Sequence, residues 1–173
     1  MNYDRCQTAE EISETSAKLI TFIDLAGHYK YLHTTIFGLT GYSPHYIMLV
    51  VSANTGVAGT TLDHLNLALA LGVPFFIVVT KIDVTAKNVL ARTLEQLMSV
   101  LLLNAKRNPL VITDCDSALS AEARTIKAES GGFVPIFLAS SVTGKGLEFL
   151  KEFLHVLPPY LNSVERERLE RVS

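Results

Sequence analysis

Apolar blocks of strand length recur along the chain: KLITFID (18–24), YIMLVVS (46–52), PFFIVVT (74–80), PLVIT (109–113) and PIFLAS (135–140). These runs are continuous rather than alternating. Continuous apolar strands are buried on both faces, the habit of a parallel sheet. Helical patterns fill the gaps. TTLDHLNLALALG (60–72) spaces Leu62, Leu65 and Leu69 for one helix face and closes on Gly72. TAKNVLARTLEQLMSVLLLN (85–104) opens on Thr85 as a cap, and DSALSAEARTIKAES (116–130) opens on Asp116 and closes before Gly131. GKGLEFLKEFLHVLPP (144–159) puts Leu147, Leu150 and Leu154 on one face and is stopped by Pro158 and Pro159. Alternation of strand and helix predicts an α/β fold, an open and mostly parallel sheet with flanking helices.

Composition narrows the class. Hydrophobic residues make up 49% and charged ones 18%, which describes a chain with a large buried core and excludes a disordered one. The net charge of −2 advertises no basic face for DNA. No apolar run approaches the roughly 18 residues that suggest a membrane span. Residues 1–17 are a polar lead-in without the features of a signal or transit peptide. Cys6 and Cys115 form neither a disulfide framework nor a metal cluster, in keeping with a reducing, cytoplasmic setting. Residues 161–173 read as a charged linker or tail, with 165–171 a solvated face.

Ligands of open parallel sheets bind beyond the carboxyl ends of the strands. Three polar clusters follow predicted strands: Asp24-Leu25-Ala26-Gly27-His28, Thr80-Lys81-Ile82-Asp83 and Ser140-Ser141-Val142-Thr143-Gly144. Asp24 offers a carboxylate to a magnesium ion, directly or through water. Gly27 lets a phosphate oxygen approach the backbone, and His28 stands where it could orient a water. Asp83 offers two acceptors to paired donors on a guanine edge, and Lys81 an aliphatic stem to lie along the base. The Ser140–Ser141 loop offers an amide to a purine oxygen. Taken singly, each cluster is also an ordinary turn or surface loop. Their order and their placement after strands set them apart.

DLAGH (24–28) resembles the D-x-x-G-H box of elongation-factor-like GTPases, TKID (80–83) their N-K-x-D guanine-specificity box, and SSVTGKG (140–146) the S-A-K-T-G box. Longer stretches, ITFIDLAGHYKYLHTTIFGLTGY, VSANTGVAGTT and LALALGVPFFIVVTKID, are similar to the GTP-binding protein 1 and 2 family of translational-type GTPases. The opening RCQTAEEI sides with its protein 2 branch. The resemblance spans about residues 5–160 and implies a P-loop GTPase-like G domain (18–160) that binds GTP or GDP with Mg²⁺. In the longer protein it implies GTP hydrolysis in translation elongation, with the ribosome and possibly tRNA as partners. It implies that Asp24 holds Mg²⁺ through water, Gly27 donates to the γ-phosphate and His28, as the catalytic residue, positions the hydrolytic water. Lys81 and Asp83 would pack on and read guanine, with Ser140 and Ser141 completing the pocket. Two positions depart from the pattern. Thr80 stands where asparagine is usual, losing a bridging amide, and Val142 where lysine is usual, losing a lid over the base.

The phosphate loop, G-x-x-x-x-G-K-S/T, is absent from the 173 residues. Its amides and lysine normally cradle the β- and γ-phosphates, so nucleotide binding by this chain is expected to be weak or absent. The strand that precedes that loop lies mid-sheet in such domains, between the strands expected at 18–24 and 46–52. Its absence is expected to open a gap of about 4.8 Å on each side and to leave apolar faces uncovered. An N-terminally truncated G domain is the favoured expectation. The alternative is a pseudo-GTPase that acts as a binding module without autonomous hydrolysis.

Overall fold

A computed structural model describes residues 8–126 and 132–158. The expected tail at 161–173 and the end of the helix expected over 116–130 lie outside them. Four strands form one sheet: β1 (Ile47–Ser52), β2 (Phe75–Thr80), β3 (Asn108–Ile112) and β4 (Phe133–Leu138), in the order β1-β2-β4-β3 and parallel throughout. The helices are α1 (Ala9–Thr15), α2 (Leu32–Gly41), α3 (Gly59–Leu71), α4 (Lys87–Leu103), α5 (Cys115–Ile126) and α6 (Leu147–Val156). Among the described residues no helix is long and apolar enough to cross a membrane.

The continuous run in β2 is explained by its position between β1 and β4. Phe75, Ile77 and Val79 face one layer, where they meet Leu65 and Ala68 of α3 and Leu97 and Leu101 of α4. Phe76 and Val78 face the other, with Phe137 of β4, Ala118 of α5 and Phe153 of α6. The rings of Phe76, Phe137 and Phe153 lie 5.0–6.0 Å apart, within the range of edge-on and tilted aromatic pairs. Strand β1 departs from the expectation of burial on both faces. Leu49 and Val51 are buried against α3 and α4, but Met48 and Val50 on the opposite face are 37% and 54% exposed.

The strand expected at 18–24 is not formed. Residues 18–27 run without secondary structure, with Leu19, Phe22 and Asp24 exposed. An apolar run becomes a strand only when a neighbour takes up its backbone groups, and among the described residues no strand lies beside this one. The segment is tied down by other means. The Lys18 ammonium donates to the carbonyls of Leu154 at 2.6 Å and His155 at 3.0 Å, and to that of Leu157, placing a positive charge at the negative end of α6. At its other end the Thr35 hydroxyl of α2 donates to the Ala26 carbonyl at 2.7 Å.

Helix starts differ from the expected ones for local reasons. Helix α5 begins at Cys115 because Asp114, not Asp116, caps it: Asp114 Oδ1 accepts from the Ser117 amide at 2.7 Å, and Ser117 Oγ accepts from the Asp114 amide at 3.3 Å. This reciprocal pair is a capping box with serine in the returning position. Helix α6 begins at Leu147 rather than Gly144, since Gly144 and Gly146 are both left-handed with φ of 75°. Thr85 does not cap α4, whose first residue is Lys87 and whose cap residue is Ala86. Its hydroxyl is spent elsewhere.

Candidate functional site

The carboxyl ends of β2 and β4 adjoin. Val79 pairs with Leu138, and the Ala139 amide donates to the Val79 carbonyl at 2.9 Å, so the loops 80–83 and 140–146 leave the sheet side by side. Neighbouring strands sit about 4.8 Å apart, which brings two short loops within reach of one flat ring. β1 ends beside them, with the Ala53 amide donating to the Thr80 carbonyl at 2.9 Å.

The side chains of these loops divide by what they are already bonded to. Thr80 is half-buried and its hydroxyl donates to the Val51 carbonyl at 3.4 Å, a bond to the neighbouring strand. Ser140 is fully buried, and its hydroxyl accepts from the Thr143 amide at 3.1 Å. The Ser140 amide donates to the Lys145 carbonyl and its carbonyl accepts from the Gly144 amide, each at 3.0 Å. Ser140 therefore closes its own loop. The Asp83 carboxylate and the Ser141 amide, by contrast, have no hydrogen-bond partner among the described residues, and both residues are exposed. Val142 is 84% exposed, an apolar side chain standing at the loop's rim.

Lys81 adopts φ of 60°, which a side chain with a Cβ enters at a cost of roughly 1–2 kcal/mol. The Thr85 hydroxyl donates to the Lys81 carbonyl at 2.7 Å and holds the turn from behind. In the sequence Thr85 has the look of a helix cap. The threonine four residues past the lysine is the signal that could have marked this tether, but a cap and a tether look alike in sequence.

Asp24, Gly27 and His28 are carried on the non-strand segment, joined to the sheet by no strand pairing. Space around Gly27 is open: a Cβ there would meet nothing within 4 Å. The Asp24 carboxylate is exposed, and among the described residues no three His, Cys, Asp or Glu side chains gather to hold a metal. A lone carboxylate suits an ion that keeps most of its waters, such as Mg²⁺. His28 Nδ1 accepts from the Lys30 amide at 3.1 Å and caps a short 3₁₀ turn over Tyr29–Tyr31. A neutral imidazole accepting at Nδ1 carries its proton on Nε2, so the outward nitrogen is a donor. The structure thus brings the 80–83 and 140–142 clusters together, while the 24–28 cluster stands on a separate support.

The chain matches the family described as "Elongation factor Tu GTP binding domain" over residues 4–160. It is 56% identical over 170 residues to GTP-binding protein 2 of Homo sapiens, covering 98% of this chain and 28% of that protein. It is 46% identical over 161 residues to GTP-binding protein 1 of Xenopus laevis, covering 92% and 24%. The chain therefore spans about a quarter of the length of these relatives. Among solved structures, translation elongation factor SelB from Methanococcus maripaludis, apo form, shares the fold with a TM-score of 0.52 at 18% identity, covering 84% of this chain and 29% of that one.

Proposed function

The chain belongs to the elongation factor Tu GTP-binding domain family, and on that premise we propose that its carboxyl-edge loops read a guanine base. One observation carries the reading: a carboxylate, Asp83, and an amide, Ser141, without hydrogen-bond partners among the described residues, follow the ends of two hydrogen-bonded strands. Guanine presents two adjacent donors and a carbonyl oxygen, the complement of one carboxylate and one amide; adenine presents a different pattern. The Lys81 stem and Val142 supply apolar surface for the faces of the ring. Thr80 and Ser140 hold the two loops in place from within.

In a full-length protein of this family the reaction would be GTP hydrolysis, a phosphoryl transfer to water in which a bound Mg²⁺ and backbone amides would neutralise charge. Asp24 would hold the ion through water and the Gly27 amide would meet the terminal phosphate. His28, with its proton on Nε2, would donate to the attacking water and orient it; it is not set up to remove a proton. Residues 18–160 form the G-domain part, with 1–17 a lead-in and 161–173 a linker. Cytoplasmic location, the ribosome and tRNA belong to the same proposal. A second reading, an interaction module without hydrolysis of its own, is favoured by the lack of a phosphate-loop motif in the sequence.

An NMR titration of the purified chain tests the base-reading proposal. GDP at millimolar concentration should shift the Ser141 amide and the amides around Asp83, and ADP should not. Equal effects of GDP and ADP, or none from either, would overturn the base-reading proposal.

A further inference from the structure

Two glycines flank Lys145, and they are not equivalent. Both Gly144 and Gly146 have φ of 75°. A Cβ on Gly144 would meet nothing within 4 Å. A Cβ on Gly146 would overlap the Leu138 carbonyl oxygen and lie 3.1 Å from the Leu138 carbonyl carbon and 3.5 Å from the Ala139 Cα. Those atoms lie at and just past the end of β4, an interior strand paired to β2 on one side and β3 on the other. Val134, Ile136 and Phe137 of that strand are buried, so it cannot retreat. Any side chain at 146 must push the loop, not the strand.

We infer that Gly146 is a positioning residue for the base-reading loop: its missing side chain lets residues 140–146 lie flat against β4 and so sets where the Ser141 amide points. The inference rests on the guanine-reading proposal above and adds a role for the last residue of the 140–146 stretch, to which none was assigned. The coupling runs through three bonds. The Lys145 carbonyl, next to Gly146, accepts from the Ser140 amide; the Ser140 carbonyl accepts from Gly144; the Ser140 hydroxyl accepts from Thr143. Lifting residue 146 off β4 strains the Lys145–Ser140 bond first and turns Ser141 with it.

Asparagine tolerates the left-handed region better than other side chains, so the same substitution at both glycines isolates the steric term. Gly146→Asn should speed hydrogen exchange of the Ser140 amide by about tenfold or more, leave β2 amides unchanged, and weaken GDP binding by a similar factor. Gly144→Asn should change both by no more than about twofold. The proposal is overturned if Ser140 exchange is unchanged in Gly146→Asn, if the two variants behave alike, or if exchange rises while GDP affinity holds. A Gly146→Asn chain without a folded spectrum also overturns it, since the residue would then support the whole fold rather than one loop. Absence of GDP binding by the unsubstituted chain would instead sink the guanine reading, and the exchange arm would still decide whether Gly146 seats the loop.

Discussion

The Thr85 hydroxyl holds the Lys81 carbonyl at 2.7 Å, across a turn in which Lys81 is left-handed. A strained lysine is thereby fixed by a residue four positions along the chain. Thr85→Val removes the bond and keeps the shape. It should cost about 0.5–1.5 kcal/mol of stability, the usual worth of one hydrogen bond. Denaturant unfolding checks the first effect. The second is a loss of GDP affinity larger than the loss of stability, because the turn is released where the base would lie; an affinity identical to that of the unsubstituted chain would separate Lys81 from the site.

Strand β1 makes a sharper packing prediction. Val51 is 2% exposed, within the core shared with α3 and α4, and its neighbour Val50 is 54% exposed. Val51→Ala should destabilise by about 2 kcal/mol through lost burial and a residual cavity. Val50→Thr should stay within about 0.5 kcal/mol. Urea midpoints of the two variants give the comparison. A large cost at Val50 would mean that this face is covered in solution.

Acid should act on the start of α5. Hydrogen bonds from the Ser117 amide and the Thr113 hydroxyl hold the Asp114 carboxyl below its ordinary value of 3.8. A carboxyl with a lowered folded-state pKa contributes stability that is present above its unfolded value and lost as pH falls through the folded one. The cap is therefore complete at neutral pH and is lost below about pH 4. Asp114→Asn should flatten that part of the stability profile between pH 5 and 2, and an unchanged acid limb would contradict the cap.

His28 makes a spectroscopic prediction. Long-range proton–nitrogen spectra at neutral pH should identify Nδ1 as the unprotonated nitrogen, since it accepts from the Lys30 amide. A proton on Nδ1 would remove the cap on the Lys30 amide, and with it the reason for assigning His28 a donating role.

The fold was legible in the sequence where burial is two-sided. The runs at 74–80 and 135–140 became β2 and β4 because strands on both flanks take up their backbone groups. The same logic failed at 18–24. KLITFID has the composition of a strand, but strand formation needs a partner, and a partner is a property of the assembly rather than of the segment. Short-range details were hidden for a different reason. Thr85 and Asp116 both look like helix caps, and only the competition for nearby carbonyls and amides decides that Thr85 serves Lys81 and that Asp114 caps α5. In the candidate site, the adjacency of the 80–83 and 140–142 loops was legible, because each follows a strand that the sequence shows. Gly146 was not, because its role depends on a carbonyl eight residues upstream.

The proposed reading of guanine by Asp83, across the ends of β2 and β4, is tested by one exchange of atoms. Asp83→Asn replaces a carboxylate oxygen, an acceptor, with an amide NH₂, a donor. Xanthine carries a carbonyl where guanine carries its 2-amino group. Paired titrations with GDP and xanthosine diphosphate, followed by the Ser141 amide, should therefore show preference for GDP in the unsubstituted chain and for the xanthosine nucleotide in Asp83→Asn. Unchanged preference in the variant, in a chain that still folds, would contradict the account.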